Sequence, residues 1–232
     1  FSKFLSLVSL KGDIQNKELL LSINTDGMKT LTVSSDKSTL VRATLKGTYE
    51  NLGNLAFSDL TCFLKTVDTH ENDDIDLSVN KNKFIIKDNE LKSSSILTKE
   101  EYIRNYVSDK KFEEVLKQLS TEKISLTLPQ IKKIVKYFDL IKSQKREDNS
   151  VIFTVKENNL NLKFSGATEN TLEADFEISS KMDDFTFKMG NVFIEVLMAI
   201  NQAVDLYVNE NMIGIIIDND EMKFEFLVAT SI

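Results

Sequence analysis

Two halves of this chain repeat each other at a spacing of about 130 residues, and this repeat constrains the fold more than any other feature. The matched stretches are Leu21–Asn24 with Phe153–Lys156, Leu31–Ser34 with Leu162–Ser165, Phe57–Leu64 with Phe187–Ile194, and Asp76–Asn80 with Asp205–Asn209. The order of these stretches is the same in both halves. The sequence therefore predicts two copies of one folding unit in a single chain.

Each half predicts a helix, a hairpin, a strand, a second helix and a three-strand meander, which gives an α+β fold. The predicted helices are Ser2–Leu10, Phe57–Val67 with Ser58 as N-cap, Pro129–Ser143 and Met189–Asn201. The predicted strands are Lys17–Asn24, Lys29–Ser34, Lys37–Gly47, Asp74–Val79, Phe84–Lys87, Leu91–Leu97, Ser150–Lys156, Leu160–Ser165, Thr171–Ser179, Val204–Val208, Met212–Ile217 and Met222–Ala229. The charged stretch 98–123 is predicted to connect a first domain, 1–97, to a second, 124–232.

Composition argues against enzyme chemistry. The 232 residues include one cysteine and one histidine, which exclude a disulfide framework and the H-E-x-x-H zinc motif. The chain has no glycine-rich phosphate-binding loop, and no apolar run long enough for a membrane span. We expect Cys62 to lie in the core and His70 to be solvated. The sequence thus predicts no catalytic residues, no cofactor, no metal site and no membrane contact.

Together, these features resemble the DNA sliding clamp family, in particular the proliferating-cell-nuclear-antigen type and the T4-like bacteriophage clamps. The resemblance rests on the element order, the duplication, and two local patterns, Ser34–Val41 and Phe226–Ile232, which are similar to the family's front-face loop and C-terminal strand. It implies two clamp domains with sheets outside and two helices each on the inner face. A ring of six such domains implies a homotrimer around double-stranded DNA, a DNA polymerase as partner and an ATP-dependent clamp loader.

The charge distribution agrees with that resemblance. The chain carries a net charge of −7, yet the four predicted helices with their flanks sum to +6, most of it in 129–146, while the second helix of each half is nearly neutral. In the helix that starts at Pro129, apolar residues cluster on one side and lysines on the other. The predicted DNA-binding residues are Lys3, Lys11, Lys65, Lys132, Lys133, Lys136, Lys142, Lys145 and Arg146. A lysine-rich helix face is also typical of an ordinary solvated surface.

The resemblance also implies two protein contact sites. By position, the subunit interface would pair an edge strand carrying Lys92, Ser94 and Ile96 with one carrying Glu173, Asp175 and Glu177. A hydrophobic pocket for partner peptides would contain Thr39, Val41, Ala229, Thr230 and Ile232.

Other functions and origins stay open on the sequence alone. One alternative is a duplicated binding scaffold unrelated to DNA, and another is a monomeric processivity factor that binds DNA without encircling it. The Lys- and Asn-rich, Pro-poor composition favours a bacteriophage source, although an archaeal or eukaryotic source is also compatible. A viral clamp would act in the host cytoplasm or nucleoid, and a cellular one at intracellular replication sites.

Overall fold

The computed structural model describes residues 1–10, 15–72, 74–141, 150–165, 171–178, 184–209 and 211–229. Its helices are α1 (Ser2–Ser9), α2 (Leu60–Asp68), α3 (Asp109–Leu116), α4 (Leu128–Ile141) and α5 (Asn191–Ile200), with a 3-10 helix at Glu100–Tyr102. The first seven strands are β1 (Leu19–Asn24), β2 (Gly27–Val33), β3 (Thr39–Lys46), β4 (Gly53–Phe57), β5 (Asp76–Asn80), β6 (Lys83–Lys87) and β7 (Lys92–Ile96). The others are β8 (Lys123–Leu126), β9 (Ser150–Lys156), β10 (Asn159–Ser165), β11 (Thr171–Glu177), β12 (Phe185–Gly190), β13 (Val204–Val208), β14 (Met212–Asp218) and β15 (Met222–Ala229).

The chain forms two compact units. Unit 1 contains Phe1–Lys111 together with Asp218–Phe224, and unit 2 contains Phe112–Ile217 together with Glu225–Ile232. The stretch predicted to connect the domains, 98–123, is therefore shared between the two units.

Unit 1 places four antiparallel strands in the order β4-β1-β2-β3 and three more in the order β5-β6-β7. Strand β1 alternates between fully buried and half-buried side chains, as expected of a strand with one face on the core. Helices α1 and α2 pack against each other. A tight turn joins β1 to β2 at Gly27, whose φ of +142° is one that other residues rarely adopt.

Unit 2 repeats this plan. Its strands follow the orders β12-β9-β10-β11 and β8-β13-β14-β15, and α4 packs against α5. Strands β9 to β12 thus take the places of β1 to β4, and β13 to β15 those of β5 to β7. The predicted duplication and the α+β class are confirmed.

Aromatic side chains occupy matched places in the two cores. In unit 1, the rings of Phe57 and Phe63 stack with centroids 3.9 Å apart, and Phe84 meets both edge-on. In unit 2, Phe187 stacks on Phe153, and Phe193 meets Phe153 edge-on. Phe57 and Phe187, like Phe63 and Phe193, are partners in the sequence repeat, so the repeat preserves the positions of core residues.

Three strands, β4, β8 and β12, were not predicted. Each has four to six residues, too few for an alternating pattern to stand out. The end of β4 was assigned to the helix that follows it, so the predicted N-cap was also wrong. The cap is Asp59, whose carboxylate accepts a hydrogen bond from the Cys62 amide at 2.8 Å.

The expectations for Cys62 and His70 were both wrong. Cys62 lies on the exposed side of α2, because Leu60, Phe63 and Val67 form its buried side. The His70 side chain is 1% exposed, since it lies in a buried polar network instead of a solvated loop.

Candidate nucleic-acid interface and subunit edges

The predicted lysine face of α4 is present. Ile131, Ile134 and Phe138 are buried, and the three lysines between them, Lys132, Lys133 and Lys136, are exposed. The side chains of Thr127 and Gln130 form a capping box: Gln130 Oε1 accepts from the Thr127 amide at 2.8 Å, and Thr127 Oγ1 accepts from the Gln130 amide. This cap fixes where α4 begins, and the burial of Ile131, Ile134 and Phe138 turns the lysines outward.

Unit 1 presents fewer cations on its helices. Lys3 on α1 and Lys65 on α2 are exposed, and Asp68 at the end of α2 accepts a hydrogen bond from the Ser2 hydroxyl. Lys11, Lys142, Lys145 and Arg146 lie outside the described residues. The two helix pairs α1/α2 and α4/α5 contain five lysines against two aspartates and one glutamate, whereas the whole chain is at −7. These four helices therefore carry a net charge of +2, and three of their five lysines lie on α4.

Both predicted interface strands end their sheets in the described part of the chain. Strand β7 has exposed Lys92, Ser94 and Ile96, and Ile96 is 72% exposed. On β11, Glu173, Asp175 and Glu177 are exposed. Glu173 pairs with Lys163 at 2.9 Å and Asp175 accepts from Asn161 at 2.9 Å, both on the neighbouring β10. These two carboxylates already have partners within the chain.

The matching edge in unit 1, that of β3, is covered. The Lys46 amide at the end of β3 donates to the Glu221 carbonyl at 2.7 Å. The Lys46 ammonium also binds the Asp218 carboxylate at 2.7 Å, which lowers the pKa of Asp218. The segment 218–224 thus lies against the β3 edge, whereas β11, the repeat partner of β3, has no such cover among the described residues.

Of the five predicted peptide-pocket residues, two are buried, one is exposed and two lie outside the described residues. Thr39 and Val41 in unit 1 are fully buried, so their side chains support the surface near the Ser34–Thr39 loop but do not form it. Ser34 holds this loop, since its hydroxyl accepts from the Thr39 amide at 2.9 Å and its amide donates to the Thr39 carbonyl. Ala229 in unit 2 is exposed, and Thr230 and Ile232 lie outside the described residues.

A buried polar network in unit 1 was missed from the sequence. His70 Nδ1 lies 2.7 Å from Asp88 Oδ2, and His70 Nε2 lies 2.6 Å from Ser93 Oγ. Amide hydrogen bonds from Leu91 and Glu90, assisted by His70, lower the pKa of Asp88 to about 2. The order Ser–His–Asp matches that of a hydrolytic triad, although the side chains of His70 and Asp88 are only 1% and 2% exposed. The network instead ties the end of α2 to β7 and to the turn that precedes it.

No helix in the described residues combines the length and apolar character that crossing a membrane requires.

Comparison with solved structures shows what the fold resembles. No family model and no curated protein matches the chain. Proliferating cellular nuclear antigen from Entamoeba histolytica is 18% identical, with a TM-score of 0.75 over 100% of this chain and 96% of that one. The antigen from Thermococcus kodakaraensis is 16% identical, with a TM-score of 0.75 over 99% and 95%.

A bacterial relative is longer. A DNA polymerase III beta subunit from Eubacterium rectale is 16% identical, with a TM-score of 0.75 over 99% of this chain, which spans 62% of that protein's length. All of these structures are sliding clamps. The chain therefore has the fold of the DNA sliding clamps, with two similar domains.

Proposed function

We propose that this chain is a DNA polymerase processivity clamp, three copies of which form a closed ring around duplex DNA. The ring would tether the polymerase without chemistry of its own, because a tethered enzyme rebinds DNA before it diffuses away. The fold supports this role at the level of architecture. The observation that carries the proposal is the pair of open strand edges, β7 and β11, on two units related by a repeat.

An open edge strand invites pairing with another chain, and folded proteins rarely leave one uncovered. The β3 edge is covered by residues of this same chain, and its repeat partner β11 is not. If β11 of one copy paired with β7 of the next, every copy would use one surface of each kind. Such head-to-tail contacts close into a ring when the rotation between copies is a fraction of a full turn. Six domains of this fold then correspond to three chains.

The lysine face of α4 supports a sequence-independent contact with DNA. Lysine ammonium groups bind phosphates, which carry no base information, and this suits a protein that slides. We propose Lys3, Lys11, Lys65, Lys132, Lys133, Lys136, Lys142, Lys145 and Arg146 as the DNA-facing cations. Double-stranded DNA would be the ligand, and replication sites the place of action.

The protein partners are proposed from what the resemblance to the sliding clamps implies. A polymerase peptide would bind near Thr39, Val41, Ala229, Thr230 and Ile232, with the first two acting from beneath the surface. A closed ring needs a separate ATP-dependent loader to open it. A bacteriophage source is proposed on composition and on the resemblance to the phage clamps.

Sedimentation equilibrium tests the ring. We expect a species of about three times the chain mass of 26.4 kDa, which dissociates only on dilution. The variant Ile96→Asp places a charge where the interface would bury an apolar side chain, and should weaken each contact at least about tenfold. The matched control is Leu140→Asp, because Leu140 is 67% exposed on α4 and lies outside both edge strands. A monomer at every concentration, or an equal effect of both variants, would refute the ring.

Retention on DNA separates the alternatives. A loaded ring should remain on nicked circular DNA at high salt and be lost when the circle is cut, since linear DNA has ends to slide from. A monomeric factor should bind both forms alike with a steep salt dependence, and a scaffold unrelated to DNA should bind neither.

A further inference from the structure

The three-strand meanders of the two units differ in what lies on the face turned away from the core. In unit 2, Gly214 in the middle of β14 is buried, and the side chain of Leu119 occupies the space that a Cβ atom on Gly214 would need. A backbone hydrogen bond holds the chain there, because the Ser120 amide donates to the Val208 carbonyl at 3.0 Å. The chain that follows α3 therefore covers this face of unit 2.

The corresponding face of unit 1 is open in the described part of the chain. Tyr207 and Ser78 correspond in the repeat, and Tyr207 lies opposite Gly214 whereas Ser78 lies opposite Ile85. Ile85 thus takes the place of Gly214. Strand β6 buries the residues on either side of Ile85, which turns Ile85 away from the core.

Strand register defines this open surface, which we call the meander face. Each of the three strands contributes three residues to it. Eight of the nine are exposed, and Ile85 at the centre is half-buried. The nine residues are Asp76, Ser78 and Asn80 on β5, Lys83, Ile85 and Lys87 on β6, and Lys92, Ser94 and Ile96 on β7.

The meander face combines positive charge with apolar side chains. Its three lysines against the single Asp76 give it a charge of +2, whereas the whole chain is at −7. None of the three lysine ammonium groups has an ion-pair or hydrogen-bond partner among the described residues. Lysines around Ile85 favour a ligand that brings both negative charge and an apolar group.

An acidic peptide meets these requirements, whereas two other occupants do not. A DNA backbone supplies phosphates but no apolar group for Ile85. A second copy of the chain would need more area, because three strands of five residues give a face of roughly 10 by 14 Å, far below the about 800 Å² per partner of a stable interface. The α3 segment of another copy is also engaged, since its Phe112 is fully buried in unit 2.

We propose that the meander face docks a short acidic helical segment of a partner protein, with one apolar side chain on Ile85 and carboxylates beside the three lysines. Unit 2 contains the equivalent contact within the chain, where Leu119 lies on the matching strand position. The inference goes beyond the proposed function, since this docking requires neither DNA nor a ring. The surface is also separate from the predicted peptide pocket, whose unit-1 residues lie on β3.

The test uses two peptides based on residues 109–120 and a short duplex DNA. The first peptide carries three changes that make it acidic: Lys110→Glu, Lys111→Glu and Lys117→Glu. The second peptide keeps these changes and also loses its four apolar residues: Phe112→Ser, Val115→Ser, Leu116→Ser and Leu119→Ser. The first peptide therefore has both properties that the meander face requires, the second has only the charge, and the DNA tests for phosphate binding.

Binding is measured from the shift of the isotope-labelled Ile85 methyl resonance, with the buried Ile213 methyl group of unit 2 as internal reference. The chain variant Lys83→Glu/Lys87→Glu reverses two charges of the meander face. The matched control, Lys29→Glu/Lys156→Glu, reverses two exposed lysines on β2 and β9. Circular dichroism of both variants checks that the fold is retained.

We expect the first peptide to shift the Ile85 resonance saturably, and to bind the Lys83→Glu/Lys87→Glu variant at least about fivefold more weakly than the unmodified chain and the control. No shift of Ile85, or an equal shift with the second peptide, overturns the proposal. An equal loss of affinity in both double variants also overturns it, because the effect would then be one of net charge. Tighter binding of the DNA than of the first peptide at Ile85 would do the same, since the occupant would then be a nucleic acid.

Discussion

The lysine face of α4 gives the sharpest test of DNA contact. The variant Lys132→Ala/Lys133→Ala/Lys136→Ala removes three exposed cations that no described carboxylate pairs with. Each lost phosphate contact reduces the slope of log affinity against log salt by about 0.9, so the slope should fall by up to about 2.7 for each chain in contact. The fold should be unaffected, since surface substitutions of this kind change stability by no more than about 0.5 kcal/mol.

The assay is fluorescence anisotropy of labelled duplex DNA over a range of salt concentrations. The control, Lys29→Ala/Lys110→Ala/Lys111→Ala, removes the same charge from exposed positions on β2 and α3. We expect the control slope to match that of the unmodified chain. If both triple variants lose the same slope, the effect is one of net charge, and the reasoning that assigns DNA contact to α4 is refuted.

Three further predictions concern the fold. Phe63→Ala should lower the free energy of unfolding by about 3–5 kcal/mol, because it empties the centre of the unit-1 aromatic cluster. Cys62→Ala, on the exposed side of α2, should change it by under about 0.5 kcal/mol in the same denaturant titration. Similar costs for the two variants would contradict the orientation of α2. Gly27→Ala should lower the free energy of unfolding by about 3 kcal/mol, since the added Cβ would lie 2.6 Å from the Leu45 carbonyl oxygen. Gly53→Ala should cost about 1 kcal/mol, because nothing lies within 4 Å of its Cβ position. A reversed order in thermal unfolding would contradict this geometry of the Gly27 turn. The pKa of Asp88 is lowered to about 2 in the folded chain, so the Asp88 carboxylate of the unfolded chain is protonated first as the pH falls. Stability is therefore lost as the pH falls from about 4 to about 2. Asp88→Asn should therefore make that acid loss shallower in unfolding measured by circular dichroism, and an unchanged slope would show that Asp88 does not contribute.

The sequence predicted long, periodic elements well. The apolar stripe of α4, with Ile131, Ile134 and Phe138, is visible at helical spacing, and burial follows directly from it. Strands such as β9 and β13 were predicted with the bounds that the structure has. The repeat predicted the common plan of the two units, because the same pattern of apolar residues requires the same packing.

Short elements and polar networks were not predictable in this way. Strand β8 has four residues, and it is a strand because β13 offers it an edge. The environment of His70 depends on Asp88 and Ser93, 18 and 23 residues away, which only the fold brings together. Cys62 was assigned to the core because its apolar neighbours along α2 did not reveal which face meets the sheet.

The features of the candidate site also divide into those that the sequence indicated and those that only the fold decided. Residue types and spacing alone indicated two related units, an absence of catalytic motifs and a helix with a lysine face. Only the tertiary structure decided which strand edges are open, because an edge is a property of the partners a strand lacks. That is why β3 and β11, equivalent in the repeat, differ: the segment 218–224 covers the first, and no described residue covers the second. The sequence determines periodic local structure through short-range sterics and hydrophobicity, whereas contacts between distant segments arise only when the chain has folded.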